Sequence, residues 1–396
     1  MGIHDRVLTH RLGTGVLDLA VDQDRFGAEL FRVAERINPK RSFLFVSTVL
    51  GRHIPVRPSD HFAAVNMIAD QIPDPLLSTP VLVMGYAETA VGIGAAVARR
   101  ISRRRPEVSV LYLSTTRHPV EGLGWVEFSE GHSHATAHHV MNPPRLQLLS
   151  AAPMTLVLVD DETTTGSTFA ALFRALRDGG LRIRRVLLLT FTDWSAGAAV
   201  QAISDLAPDL PVGAFSLMQG RWTWRADPAA ALPEVPRWAG HPGVADWEPD
   251  LIYDPLRRAP RLGLSLNEGT GVSLLIDRLG APELGDRVLV IGIGEHVWGP
   301  MLLAEGLEQA GADVRLVATT RSPIVEGDVV RHKVTFPDHF GAGIPMYLHN
   351  VPPQPDARVI LMTETGANGI CPQLISYLGR GQIVDGDGLV TEFGTA

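Results

Sequence analysis

Apolar residues gather along this chain in short runs that stop at glycine or at acidic residues, and helical patterns separate the runs. Val81–Met84 and Val288–Ile291 are β-branched stretches ending at Gly85 and Gly292. Unbroken apolar runs of this length suit parallel strands covered on both faces, whereas a strand with one wet face would alternate. Helical spacing follows over Ala90–Ser102 and Met301–Ala310. Second strands are expected at Val108–Ser114 and Val314–Ala318, and third strands at Leu156–Val159 and Val359–Met362. Strand–helix–strand alternation implies right-handed crossovers in a parallel sheet. In such sheets ligands bind at the carboxyl ends of the strands.

The pattern occurs twice. V-L-V-M-G-Y-A-E-T-A-V-G from Val81 is matched by V-L-V-I-G-I-G-E-H-V-W-G from Val288, and T-T-R-H-P-V-E-G from Thr115 by T-T-R-S-P-I-V-E-G from Thr319. Asn142-Pro143-Pro144 is followed by Asn350-Val351-Pro352-Pro353, and T-L-V-L-V-D-D-E-T from Thr155 by A-R-V-I-L-M-T-E-T from Ala357. Four blocks in one order at similar spacing mark an internal duplication of one α/β unit. The expected fold class is therefore α/β, with two Rossmann-like parallel-sheet domains. The expected layout is a first domain over residues 1–235, opened by an unpaired segment at about 1–79. A Pro-, Trp- and Asp-rich connector at 236–265 and a second domain at 266–396 follow.

Composition narrows the class. The 396 residues carry a net charge of −8, with 45% hydrophobic and 20% charged residues. That balance fits globular domains and disfavours a nucleic-acid binder, which would carry a basic face. A lone cysteine, Cys371, excludes an intrachain disulfide and points to a reducing compartment;. No leader and no apolar run of membrane-spanning length is read, so a cytoplasmic protein without membrane contact is expected.

The densest chemistry lies at Asp160-Asp161, followed by Thr163-Thr164-Thr165-Gly166-Ser167-Thr168 and a helix starting near Phe169. Adjacent carboxylates at a strand end can accept hydrogen bonds from both hydroxyls of a ribose. The glycine permits a tight turn whose amides point into one concavity, and the helix N-terminus and hydroxyls add donors for a phosphate. Together these make a ribose-5-phosphate site. The plainer alternative, an acidic helix cap on a βα turn, accounts for Asp-Asp but not for the whole string.

Val157–Thr168 resembles the fingerprint of type I phosphoribosyltransferases, which bind phosphoribosyl diphosphate (PRPP). Three more blocks are similar to an orotate-phosphoribosyltransferase-like family of bacterial tellurium-resistance gene clusters: Gly85–Gly94, Glu130–His139 and Phe43–Val56. That family's C-terminal domain is named for a T-R-S-P motif, which stands here at Thr320–Pro323. The resemblance implies a Mg²⁺-dependent transfer of ribose 5-phosphate from PRPP to a nucleobase or base-like acceptor. The context would be a nucleoside-like metabolite of a stress response, and a homodimer is expected. The turn Gly85-Tyr86-Ala87-Glu88-Thr89 would hold the pyrophosphate, with Arg117 as a clamp, while its counterpart Arg321 leaves a loop-holding role for Arg117 open as well. Glu88 is an odd neighbour for pyrophosphate, and its counterpart Glu295 makes a structural role equally open. A mobile loop is implied between His118 and Asn142, where His132, His134, His138 and His139 fit ligand contact, a metal or plain loop filling. A hood over the base would come from the first segment. Lys40, Arg41, Arg52 and His53 are its candidates for an anionic, orotate-like base, and Phe191 and Trp194 are candidates for stacking. The bland readings are that Phe191 is core and Lys40-Arg41 a solvated turn.

In the second copy Met362 and Thr363 stand where Asp160 and Asp161 do, so that degenerate copy is read as a scaffold or, with Gly366 and Gly369 shaping an amide nest, as a site for a different ligand;. Two rival functions stay open: a non-catalytic sensor of PRPP or nucleotides, and an enzyme cleaving a nucleotide or nucleoside in the reverse direction.

Overall fold

The computed structural model describes residues 6–38, 41–120, 122–129, 137–231, 234–235, 259–264, 266 and 271–394. The first part runs β1 (Arg6–Leu12), β2 (Gly15–Asp24), β3 (Phe31–Glu35), β4 (Phe43–Ser47), α1 (Pro58–Ala69), β5 (Val81–Gly85), α2 (Ala90–Arg104) and β6 (Val110–Ser114). It continues with β7 (Gly124–Phe128), β8 (His138–Met141), α3 (Pro144–Leu149), β9 (Met154–Thr163), α4 (Ser167–Asp178), β10 (Ile183–Asp193), α5 (Ala198–Ser204) and β11 (Val212–Ala226). The second part runs α6 (Val272–Leu279), β12 (Arg287–Gly292), α7 (Trp298–Gln309), β13 (Asp313–Ala318), β14 (Lys333–Pro337) and β15 (Pro345–His349). It ends with β16 (Arg358–Met362), α8 (Pro372–Leu378), β17 (Gly381–Val384) and β18 (Val390–Phe393).

The first sheet has the order β1-β2-β11-β10-β9-β5-β6 and the second β13-β12-β16-β17-β18. Strands β11, β10, β9, β5 and β6 pair in parallel, and the β1–β2 hairpin adds antiparallel to β11. The row β6-β5-β9-β10 is matched by β13-β12-β16-β17, also parallel, while β18 closes its edge antiparallel. The protein is thus α/β with two mostly parallel sheets, and strands with matching sequence hold matching places. All five residues of β5 are buried, as are Met154–Val159 of β9. This is the unbroken apolar pattern that two covered faces require.

Strand β9 runs past its apolar stretch to Thr163 because β10 stays paired beside it, with Thr190 opposite Asp160 and Asp193 opposite Thr163. The acidic pair is therefore carried on a strand end braced by its neighbour. Of the expected connector, residues 236–258 and 265 lie outside the described residues. Its described end returns to the first sheet, where Leu264 bridges Tyr112 of β6.

Helices join the two sheets. Helix α2 is covered by its own sheet and packs against α1 and α7. Gly92 makes the approach of α7 possible, since a Cβ there would stand 2.9 Å from Met301 Cε. Arg99 meets Glu305 of α7 through two hydrogen bonds of 2.6 and 2.9 Å, and its guanidinium lies 4.0 Å from the Phe62 ring centroid. One apolar cluster runs from the first sheet through Trp298, Met301 and Leu303 into the second. Among the described residues no helix is long and apolar enough to cross a membrane.

Four buried histidines, and the half-buried His118, are held neutral by their surroundings. Burial lowers His61 and His296 to about 4 and His118 and His349 to about 3, and it holds His53 well below its usual value. Because the folded values lie below the unfolded value near 6.5, the stability tied to these groups is complete above about pH 6.5. It is lost as pH falls through 5 toward 3. Thermal scans should give a melting temperature flat above pH 7 and lower by at least about 5 °C at pH 5. A midpoint unchanged between pH 7 and 5 would show that these imidazoles are not buried.

Candidate functional site

A cavity of about 550 Å³ opens at the carboxyl ends of β5 and β9. That size suits a small-molecule ligand. One wall is Asp160 to Phe169 entire, from the end of β9 through the loop into α4. Asp160 accepts a hydrogen bond from the Asp161 amide at 2.9 Å, and Asp161 accepts one from the Thr89 hydroxyl at 3.0 Å. Thr165 and Ser167 hydroxyls lie 3.0 Å apart ahead of α4. Gly166 caps that helix in the left-handed region at φ 73°, where a Cβ would fall 2.3 Å from Ala199 Cα. Only glycine fits there, so the loop is held tight against α5.

A second wall is the turn Ala87–Thr89 after β5, with Arg117. Gly85 and Tyr86 stand behind it: Tyr86 is buried, and its hydroxyl donates to Thr168 O at 3.3 Å, tying the two loops together. Thr115 Oγ1 accepts from the Ala87 amide at 2.9 Å and lies 3.1 Å from His138 Nδ1. His138 Nε2 lies 3.1 Å from an Arg117 guanidinium nitrogen. Since guanidinium only donates, Nε2 accepts, which assigns the proton to Nδ1. His138 sits on β8, buried and stacked on Phe128 at 5.0 Å, as an aligning partner of Arg117. His139 faces Glu127 across the β7–β8 hairpin. His132 and His134 lie outside the described residues, as does Lys40.

The third wall comes from the first segment and from the second unit. Arg36, Arg41, Leu44, Phe45 and His53 line it, facing Thr320, Arg321, Ser322 and Ile344. Arg41 pairs with Glu162 at 2.7 Å and covers the Phe43 ring at 4.6 Å. Burial raises the Glu162 carboxyl, and Arg41 offsets part of that rise. Arg52 is not on the wall. It is buried, donating to the carbonyls of Gly294 (2.8 Å), Thr319 (2.6 Å) and Glu88, and so straps the two units together. Phe191 and Trp194 are also displaced from the expected stacking position: both are buried, and Trp194 stacks on Phe45 at 4.9 Å behind the cavity. A strand-end aromatic looks the same in sequence whether it meets a ligand or a hairpin, and here the β3–β4 hairpin covers it.

The two matching glutamates exchange places across the units. Glu295 accepts from the Thr116 hydroxyl at 2.6 Å and the Arg117 amide at 2.8 Å. Glu88 accepts from the Thr320 hydroxyl at 3.3 Å and the Arg321 amide at 3.1 Å, with Arg321 Nε 3.0 Å from its other oxygen. Each unit's turn after its first parallel strand thus fastens the other's Thr-Thr-Arg turn. The paired recurrence of Glu and T-T-R in both copies was the available signal for this contact.

At the end of β16 in the second unit, the side chains pack against one another and are buried. Met362 and Thr363 are buried, and Arg261, 1% exposed, binds Glu364 at 2.5 Å and lies 3.7 Å from Glu295. Burial alone would raise the Glu364 carboxyl, but the charge and hydrogen bond of Arg261 and those of His339 outweigh it, and the net shift is downward. Among the described residues, no three or more His, Cys, Asp or Glu side chains gather as a metal cage.

Residues 30–221 match the family model described as phosphoribosyl transferase, and residues 260–377 match the TRSP domain that stands C-terminal to it. No curated protein matches the chain. Among solved structures, the chain is similar to an adenine phosphoribosyltransferase from Trypanosoma brucei in complex with AMP, pyrophosphate and ribose-5-phosphate. The two are 11% identical over 48% of this chain and 76% of that one, with a TM-score of 0.34. An orotate phosphoribosyltransferase from Aeropyrum pernix gives 17% identity over 47% and 86%, with a TM-score of 0.28.

Proposed function

From the premise that the chain belongs, through residues 30–221 and 260–377, to the phosphoribosyl transferase family with a C-terminal TRSP domain, we propose that it transfers ribose 5-phosphate from PRPP to a base or base-like acceptor. The observation that carries this reading is the continuous wall Asp160–Phe169, in which two carboxylates adjoin a hydroxyl-rich loop at a helix entrance. In this reading the amides and hydroxyls of Thr163–Thr168 hold the 5-phosphate. Asp160 and Asp161 accept from the ribose hydroxyls. The turn Ala87–Thr89 and Arg117 take the diphosphate, with His138 aligning Arg117. The bond from C1′ to the diphosphate oxygen breaks as the acceptor's bond to C1′ forms, and the two carboxylates stabilise the positive charge that develops between.

Mg²⁺ would supply charge neutralisation on the diphosphate. Its preference for a few carboxylates and phosphate oxygens, with the rest water, suits Asp160, Asp161 and the open cavity in front of them. Leu44, Phe45, His53 and Ile344 would face the acceptor, beside Arg36 and the Arg41–Glu162 pair. The strand order and the recurring motifs support reading the second sheet as a copy of the first, with residues 1–235 and 266–396 as the two domains and no PRPP site in the second. The preparation should be incubated with PRPP, Mg²⁺ and a panel of pyrimidines and purines while pyrophosphate release is followed. Release that depends on one acceptor supports the reading. PRPP binding with no turnover on any acceptor would instead favour a PRPP-sensing protein.

A further inference from the structure

The turn Ala87–Thr89 holds a puzzle for any diphosphate subsite: Glu88 places a carboxylate in it. An anion there would repel a ligand carrying several negative charges, and within a partly buried pocket that repulsion is only weakly screened. The nearest compensation comes from the other unit. Arg321 of the TRSP motif lies with its Nε 3.0 Å from Glu88 Oε1, and both side chains are largely buried, at 17% and 9% exposure. Its backbone amide and the Thr320 hydroxyl hold Glu88 Oε2.

We propose that Arg321 is a charge-compensating residue of the diphosphate subsite, so that the second unit supplies a working part of the first unit's site. The inference rests on the PRPP reading above and deepens it. Three observations fix Arg321 in this role. It lines the cavity with Thr320 and Ser322, opposite the loop Thr163–Thr168. Its guanidinium also donates to His118 Nε2 at 2.8 Å, and the neutral imidazole offers an acceptor without adding charge. Arg52 ties the Glu88 carbonyl to Gly294 and Thr319, so the turn and the motif are held in one register. The exchange is reciprocal in form but not in use. The matching Glu295 holds the turn that bears Arg117, whereas the second unit's own loop is filled by Arg261 and Glu364.

The test is PRPP affinity in the presence of Mg²⁺, measured by calorimetry on the full chain. Arg321→Met, which keeps the aliphatic stem, is expected to weaken PRPP binding on the order of tenfold or more. Arg321→Met combined with Glu88→Gln should recover affinity to within about threefold of the wild type, because the unpaired charge is then gone. Arg321→Lys, which retains the charge, should stay within about fivefold and serves as the reading if Arg321→Met does not fold. Affinity in Arg321→Met within twofold of wild type, or no recovery on adding Glu88→Gln, overturns the inference while leaving the PRPP reading intact. Absence of PRPP binding by the wild type would instead remove the reading itself, and the inference with it.

Discussion

Changing Asp160 and Asp161 together to Asn is expected to lower phosphoribosyl transfer by about 10³-fold or more without lowering the melting temperature. Asn keeps the shape of each side chain and removes only the charge. A carboxylate about 4 Å from the developing cation, at an effective dielectric near 20, contributes about 4 kcal/mol, equivalent to roughly 10³-fold in rate. Both residues are half-buried on the cavity wall, so part of that value survives solvent screening. Their fixed contacts, from the Asp161 amide and the Thr89 hydroxyl, can be kept by an amide oxygen. Loss of rate with an unchanged thermal transition therefore marks a chemical role. Steady-state kinetics settle the matter, and activity within tenfold of wild type would remove the pair from the reaction.

Arg261→Leu is expected to cost about 3–5 kcal/mol of stability. Its guanidinium is the partner of Glu364 and neighbours Glu295, and all three are almost entirely buried. Removing it strands carboxylates in the interior. Replacing both members, Arg261→Leu with Glu364→Leu, should recover much of the loss, since an apolar pair of similar volume often matches a buried ion pair. Denaturant titration of the single and double variants measures this. A single-variant loss below about 1 kcal/mol would mean that the mirrored loop is open to solvent and not filled by protein.

The elements that position the site were legible because their signals are local. Val81–Gly85 and Val157–Val159 are apolar without interruption since helices cover both faces of the sheet, and the acidic-threonine string needs only its own strand, turn and helix. What escaped is carried by distant pairs. Glu88 meets Arg321, and Glu295 meets Arg117, across 233 and 178 positions of chain. The repeat put these residues in register without saying that they cross. Arg36, Leu44, Phe45, Ser322 and Ile344 reach the cavity through the docking of a hairpin and a second sheet, which no spacing encodes. The charge of Arg52 suits an anionic ligand, yet three backbone carbonyls accept from it instead. His138 belongs to a strand because His138–Met141 pairs antiparallel with Gly124–Phe128 and the His138 ring stacks on Phe128.

We propose that one chain with two such sheets keeps a single PRPP site, in the first unit. Calorimetric titration of PRPP with Mg²⁺ into the full chain measures the stoichiometry directly. One site per chain is expected, lost when Asp160 and Asp161 are changed to Asn. Two sites per chain, or one that survives that change, would contradict it.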